Sequence, residues 1–281
     1  MITLKNEKLT VKINELGAEI KSIVFDGKEQ MWESREEIWS GTAPVLFPIC
    51  GAVKDDKYTY GGKEYSLPQH GFARKSMFEI TDATNERAVF MLKSDAGLKE
   101  VYPFDFELYI TYTINESTVK IAYDVVNLTD GEMYFSIGSH EAYYTPEGVE
   151  DYDIIFPEKE TLSTYLLCGR NITENKMMII KDSNVLPIYE KYFMIDSLVF
   201  DGLKSHSAIL RNRKTGREIK LEFPYTSYLL VWHKPNSPYL CIEPWSGIAD
   251  FVGTSYDISQ KRGIIKIGKG ESYYADHSIT F

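Results

Sequence analysis

A carboxylate that follows a short apolar run and precedes proline and tryptophan is a candidate proton acceptor. Such a carboxylate stands in Cys241-Ile242-Glu243-Pro244-Trp245-Ser246-Gly247. The apolar run reads as buried strand and the proline as the end of its ladder. Glu243 is therefore expected at a strand end, facing a cleft, with the exposed-type ring of Trp245 as a platform for the C–H groups of a sugar. A salt-bridged carboxylate beside a core tryptophan fits the same residues about as well. His140 is the second candidate. It follows the strand-like Met133–Ile137 through Gly138, where a missing Cβ lets the backbone bend. An isolated histidine and an isolated carboxylate suit acid–base chemistry without a cofactor, although a lone histidine after a strand is more often a hydrogen-bonded structural residue.

His70 and Arg74 flank Gly71-Phe72-Ala73. A guanidinium there can hold a hydroxyl, carboxylate or phosphate, or it can brace the loop by pairing with Glu79 or Asp82. His233, after Val231-Trp232, is expected to line the cleft. His206 reads as an exposed turn and His277 as part of a terminal strand. No two of the five histidines are close in sequence. The His-x-His and His-x-x-x-His pairs of metal sites are missing, so no metal is expected. Neither is there a Gly-x-Ser-x-Gly elbow, a P-loop or a Gly-x-Gly-x-x-Gly motif, which leaves hydrolase triads and nucleotide chemistry without support.

Bulk properties narrow the partners. The net charge is −10 and basic residues do not cluster, so nucleic acid is not an expected partner. No apolar run approaches the roughly 18 residues of a membrane span, and the N-terminal residues lack a secretory pattern. Cys50, Cys168 and Cys241 are far apart and odd in number. They fit reduced thiols of a cytoplasmic protein rather than a disulfide framework. No partner beyond a small molecule is implied, and a monomer or homodimer is expected.

The elements that must position these residues are strands. Apolar residues occupy every even position from Phe104 to Ile114. Asn115-Glu116-Ser117 turns, and Val119, Ile121, Tyr123 and Val125 alternate on the return. That is a long hairpin with one buried face. Shorter strands are expected over Leu9–Ile13, Ile20–Phe25, Ala88–Lys93, Ile209–Arg211, Glu218–Phe223 and Tyr228–Trp232. Helical periodicity is confined to one or two turns over Tyr189–Ile195. The 20 Tyr, 14 Phe and 4 Trp suit strands. No linker or repeat divides the chain, so residues 1–281 are expected to form one all-β domain of two packed antiparallel sheets.

Four segments occur in the order known from one family: Pro44-Val45-Leu46-Phe47-Pro48-Ile49-Cys50-Gly51, His70-Gly71-Phe72-Ala73-Arg74, Ser136-Ile137-Gly138-Ser139-His140 and Cys241-Ile242-Glu243-Pro244-Trp245. Together they resemble the aldose 1-epimerase (galactose mutarotase) superfamily, in particular its LacX-like branch, over nearly the whole chain. The resemblance implies a large antiparallel β-supersandwich of galactose mutarotase-like type with an open sugar cleft. It implies Glu243 as base, His140 as acid, and His70 and Asp196 as sugar contacts, with Asp201 the alternative to Asp196. It also implies that Arg74 lies near the phosphate of a phosphorylated sugar. Trp232, Trp245 and Phe72 are expected to wall the pocket, and His140 and Glu243 to face each other across it with room for a pyranose between. One departure stands out: Ala52 occupies a position where many members carry a sugar-binding arginine, and Lys54 is an imperfect substitute. The expected activity is interconversion of the anomers of a hexose or hexose phosphate, in carbohydrate metabolism, without cofactor. A non-catalytic sugar-binding or regulatory protein on the same fold is the alternative. A glycosidase or lyase on a related sandwich would require a suitably spaced carboxylate pair.

Overall fold

Phe106, Leu108, Ile110, Tyr112 and Ile114 are all buried, and the residues between them are only partly so. The computed structural model describes residues 1–281 apart from Ile195. In it the strands Phe106–Asn115 and Thr118–Asn127 pair antiparallel across a turn at Glu116 and Ser117, with Asn115 opposite Thr118. This hairpin sits inside a nine-stranded sheet. Its order is Asn171–Pro187, Tyr152–Cys168, Ser207–Asn212, Glu218–Glu222, Ser272–Thr280, Thr118–Asn127, Phe106–Asn115, Arg87–Lys93 and Glu79–Ala83. Opposite lies a smaller sheet ordered Leu198–Asp201, Tyr228–Trp232, Tyr239–Trp245, Gly138–Ser139 and Val45–Leu46, with Ala142–Tyr144 also paired to Tyr239–Trp245. Pairing within both sheets is antiparallel. Leu229, Val231, Leu240 and Ile242 of the small sheet and Ile110, Tyr112, Ile121 and Ile279 of the large one belong to one continuous core. Two sheets face to face bury the apolar face of each, which is the β-supersandwich expected.

Three expectations change. The longest strands, Tyr152–Cys168 and Asn171–Pro187, had no signal in the sequence. They form a sheet edge, and Glu174 to Met178 on the outer strand are exposed in succession. Pro157 falls where the register shifts between Ile155 and Glu160, a place that tolerates a missing N–H. The expected helical turns over Tyr189–Ile195 are a short 3₁₀ turn, Glu190–Phe193, while Ile195 lies outside the described residues. Finally, the strand holding Glu243 does not stop at Pro244. It runs through Pro244, opposite Leu229, to Trp245, and all seven of its residues are buried. A proline deletes one donor only, and the next rung is made when the Ser227 N–H donates to the Trp245 carbonyl at 3.1 Å. Among the described residues no helix is long and apolar enough to cross a membrane.

Candidate active site

Strand register assembles the site. Gly138 lies opposite Trp245 and Ala142 opposite Cys241. The register is the same at both points, so His140 falls opposite Glu243. Glu243 in turn faces Leu230, and Leu230 faces Val199. Side chains along a strand alternate between faces. Val199, Leu230, Glu243 and His140 therefore form one row across the small sheet on the face turned from the core, while Val231, Ile242 and Glu141 point inward. Leu230, Glu243 and His140 of that row floor a cavity of about 290 Å³, near the small end of the roughly 300–1,000 Å³ typical of ligand sites.

His140 and Glu243 are neighbours rather than opposite walls. Their Nδ1 and Oε1 atoms are 3.4 Å apart, and both side chains line the cavity. A ligand must sit above the pair, not between its members. Burial pushes the Glu243 carboxyl well above the usual carboxylate range, helped by the charges of Glu141 and Asp196. Burial also lowers the His140 imidazole to about 4. Both shifts favour the uncharged forms. His140 Nδ1 and Glu243 Oε2 are buried without a hydrogen-bond partner, and so is Arg74 Nε. All three residues line this one cavity. Buried polar atoms are normally partnered, so this cluster is a surface prepared for a polar ligand.

His70 is fixed by a reciprocal contact. Its backbone N–H donates to the Gly51 carbonyl at 2.7 Å, and its Nδ1 accepts the Gly51 N–H at 3.2 Å. That assignment leaves Nε2 as the protonated nitrogen. Burial, with His140 and Arg74 nearby, depresses its pKa well below the ordinary value, so His70 is a neutral donor. Arg74 has no carboxylate partner among the described residues. Its Nη2 donates to the Gln69 carbonyl at 2.9 Å, while Asp82 is paired with Arg87. The loop-brace alternative through Glu79 or Asp82 is therefore not what holds it.

Of the remaining expectations, Asp196, Trp232 and Trp245 line the cavity. Trp245 is buried rather than exposed, and its Nε1–H donates to the Ser139 carbonyl at 3.0 Å. Phe72 does not reach the cavity; it packs on Phe47, Tyr102 and Phe106 in the core. His233 is fully buried behind the site, with Nδ1 2.7 Å from the Tyr239 carbonyl and Nε2 3.1 Å from Glu190. Asp201 is engaged by Lys176 and Tyr165. Lys54 lies over the Tyr256 ring, 4.7 Å from its centroid, and does not replace the arginine missing at Ala52. Sequence reasoning missed Gln69, Ser197 and above all Trp39. The Trp39 ring is 5.0 Å from His140 and 5.5 Å from Trp232. Trp39 sits on an irregular acidic stretch, Glu33 to Ser40, and its one sequence signal is the nearby Trp32, whose Nε1–H donates to the Trp39 carbonyl at 3.1 Å.

Behind the floor, Glu141 points the other way. Its carboxylate accepts from Ser139 Oγ at 2.6 Å and from His277 Nε2 at 2.7 Å. Burial alone would raise its pKa; the His277 and Ser139 contacts outweigh this and hold it low. His277 belongs to the large sheet, so this contact ties the two layers together directly under His140.

Two large antiparallel sheets packed face to face are an architecture this chain shares with solved galactose mutarotase-like proteins. Residues 1–280 match the sequence profile of the aldose 1-epimerase family, and the chain belongs to that family. It is 32% identical to the plasmid-encoded protein LacX of Lactococcus lactis subsp. lactis, over 99% of this chain and 98% of that one. The fold is similar to that of a galactose mutarotase related enzyme from Lactobacillus acidophilus, with a TM-score of 0.93 and 32% identity over 99% of this chain and 96% of the other. A galactose mutarotase-like protein from Lactobacillus casei ATCC 334 also has a TM-score of 0.93, at 27% identity, covering 100% and 99%.

Proposed function

We propose that the chain interconverts the α and β anomers of a hexose or hexose phosphate, with Glu243 and His140 moving the protons. The observation that carries this reading is the cross-strand His140–Glu243 pair, 3.4 Å apart on the cavity floor with one unpartnered atom on each residue. The hydroxyl on C1 and the ring oxygen share one carbon, so adjacent acid and base suit them. In the reactive state the pair holds one proton, on His140. Glu243 takes the proton of the C1 hydroxyl while His140 gives its own to the ring oxygen. The C1–ring-oxygen bond breaks and C1 becomes a carbonyl. The pair is then uncharged, the state that burial favours on both residues. Rotation about C1–C2 presents the other carbonyl face. On closure the ring hydroxyl returns its proton to His140, Glu243 returns one to the C1 oxygen, and the pair is regenerated. His70 Nε2–H and Asp196 would hold hydroxyls, Trp39 and Trp232 would pack on the sugar's C–H faces, and Arg74 would meet an anionic substituent.

Polarimetry of freshly dissolved α-aldoses, free and 6-phosphorylated, tests the reading. Accelerated loss of the initial rotation supports it; no acceleration on any sugar refutes it. A non-catalytic sugar-binding protein is the second reading, favoured by Ala52 where family resemblance implies an arginine. Binding seen by calorimetry without turnover would select it.

A further inference from the structure

One side chain next to the pair has no part in that chemistry. Cys241 lies two residues before Glu243 on the same strand, so both point to the same face. It is opposite Ala142 on one side and Trp232 on the other. Its thiol is free and fully buried. One ligand atom each from His140, Cys241 and Glu243 lies within 4.8 Å of the other two. Two ligands spaced i, i+2 on one strand and a third across on its neighbour present three donors to one point above a sheet. Imidazole nitrogen, thiolate sulfur and carboxylate oxygen are the donor set that zinc accepts, and three protein ligands leave a fourth position for water or substrate. Glu243 is 1% exposed and its Oε2 atom has no partner, nor has His140 Nδ1. Two of the three residues therefore carry a buried polar atom without a hydrogen-bond partner. A search for closely spaced histidines in the sequence is blind to this set, because strand pairing brings it together.

We infer that His140, Cys241 and Glu243 form a binding site for a thiophilic divalent cation, with zinc the fitting ion, and that occupancy blocks the proton-transferring pair. The inhibition rests on the function proposed above; the binding does not. Closing the site needs shifts of about an ångström, since donors around tetrahedral zinc stand closer together than 4.8 Å. Binding displaces two protons to solvent, one from the thiol and the one held by the His140–Glu243 pair, and leaves the metal oxidation state unchanged. The cation and the sugar compete for the same two side chains.

The test uses the full chain carrying Cys168→Ser, which removes the exposed thiol. Zn²⁺ is titrated calorimetrically, and Co²⁺ serves as an optical probe for thiolate ligation. The expected result is one ion per chain, a thiolate-to-cobalt absorption band, and mutarotation that Zn²⁺ suppresses and a chelator restores. Cys241→Ala should abolish the cobalt band and weaken Zn²⁺ binding by about tenfold or more, as removal even of a supporting outer-shell group does. Its metal-free turnover should match the parent. Cys241→Ser, closer in size, guards against a packing defect in the alanine variant. Absence of Zn²⁺ binding in the parent, or unchanged affinity and cobalt spectrum in both Cys241 variants, overturns the site. If the parent lacks turnover on every aldose, the proposed function fails, yet the calorimetric and optical arms still decide the metal site.

Discussion

Glu243→Gln separates a working carboxylate from a structural one, because the two roles predict opposite changes in stability. Glu243 is buried, the titratable side chain of His140 lies 3.4 Å away, and its Oε2 has no partner. A general acid or base contributes about 10²–10⁴-fold in rate, or about 2.7–5.4 kcal/mol at about 1.36 kcal/mol per decade. Glutamine keeps the shape and cannot take the proton, so polarimetric turnover should fall by that factor while calorimetric sugar binding persists. Stability should hold or rise. The amide carries no charge, and His140, depressed to about 4, stays neutral beside it. A buried ion pair maintained for structure behaves differently: removing one partner costs about 3–5 kcal/mol. At about 2–4 °C per kcal/mol, that is a melting point lower by roughly 6–20 °C. A variant that melts that much lower and still turns over at the parental rate would refute the assignment of Glu243 as base.

Arg74→Ala should lower kcat/KM roughly ten- to hundredfold on glucose 6-phosphate, the worth of a charge-assisted hydrogen bond, and much less on glucose. Equal losses on the two sugars, measured side by side, would remove Arg74 as an anion contact. Lys261→Met should destabilise the fold by about 3–5 kcal/mol in denaturant titrations. The Lys261 ammonium is buried and donates to Asp250 and to the Ile248 carbonyl at 2.7 Å each, so Asp250 would be left without its cation; an unchanged midpoint would contradict this. Burial pushes the Cys50 thiol up from 9.0 to about 12. Above pH 9 the unfolded chain therefore sheds a proton that the folded chain keeps. Stability from this group is full below pH 9 and is lost as pH rises toward 12. Cys50→Ala should flatten the alkaline fall in the denaturation midpoint, and an unchanged slope would count against it.

Where burial is one-sided, sequence pattern and structure agree. The Phe106–Asn115 and Thr118–Asn127 strands alternate because one face of each meets the core. The edge hairpin of Tyr152 to Pro187 was illegible because its outer strand is exposed over a long run and carries no alternation. Chemistry followed the same rule. His140, Glu243, His70, Arg74, Asp196 and Trp232 could each be singled out, and all line one cavity. That His140 and Glu243 stand side by side rather than face to face depends on strand register, which residue types alone do not specify. Trp39 escaped notice because an irregular loop has no period to read, and Phe72 was misplaced because a core aromatic and a cleft aromatic look alike in sequence. Glu141, adjacent to a singled-out histidine, went unread because its partner His277 is 136 residues away.

On the proposed function, the alternation at His140 and Glu141 would make turnover an all-or-none reporter of strand pairing. A one-residue slip of this segment against Tyr239–Trp245 would turn every side chain to the other face. Glu141 would then stand beside Glu243, two carboxylates without a proton donor, while His140 entered the core and His277 lost its acceptor. No intermediate alignment keeps half the machinery. In a refolding experiment, regained mutarotation would therefore time the locking of this one seam, later than the collapse that tryptophan fluorescence follows.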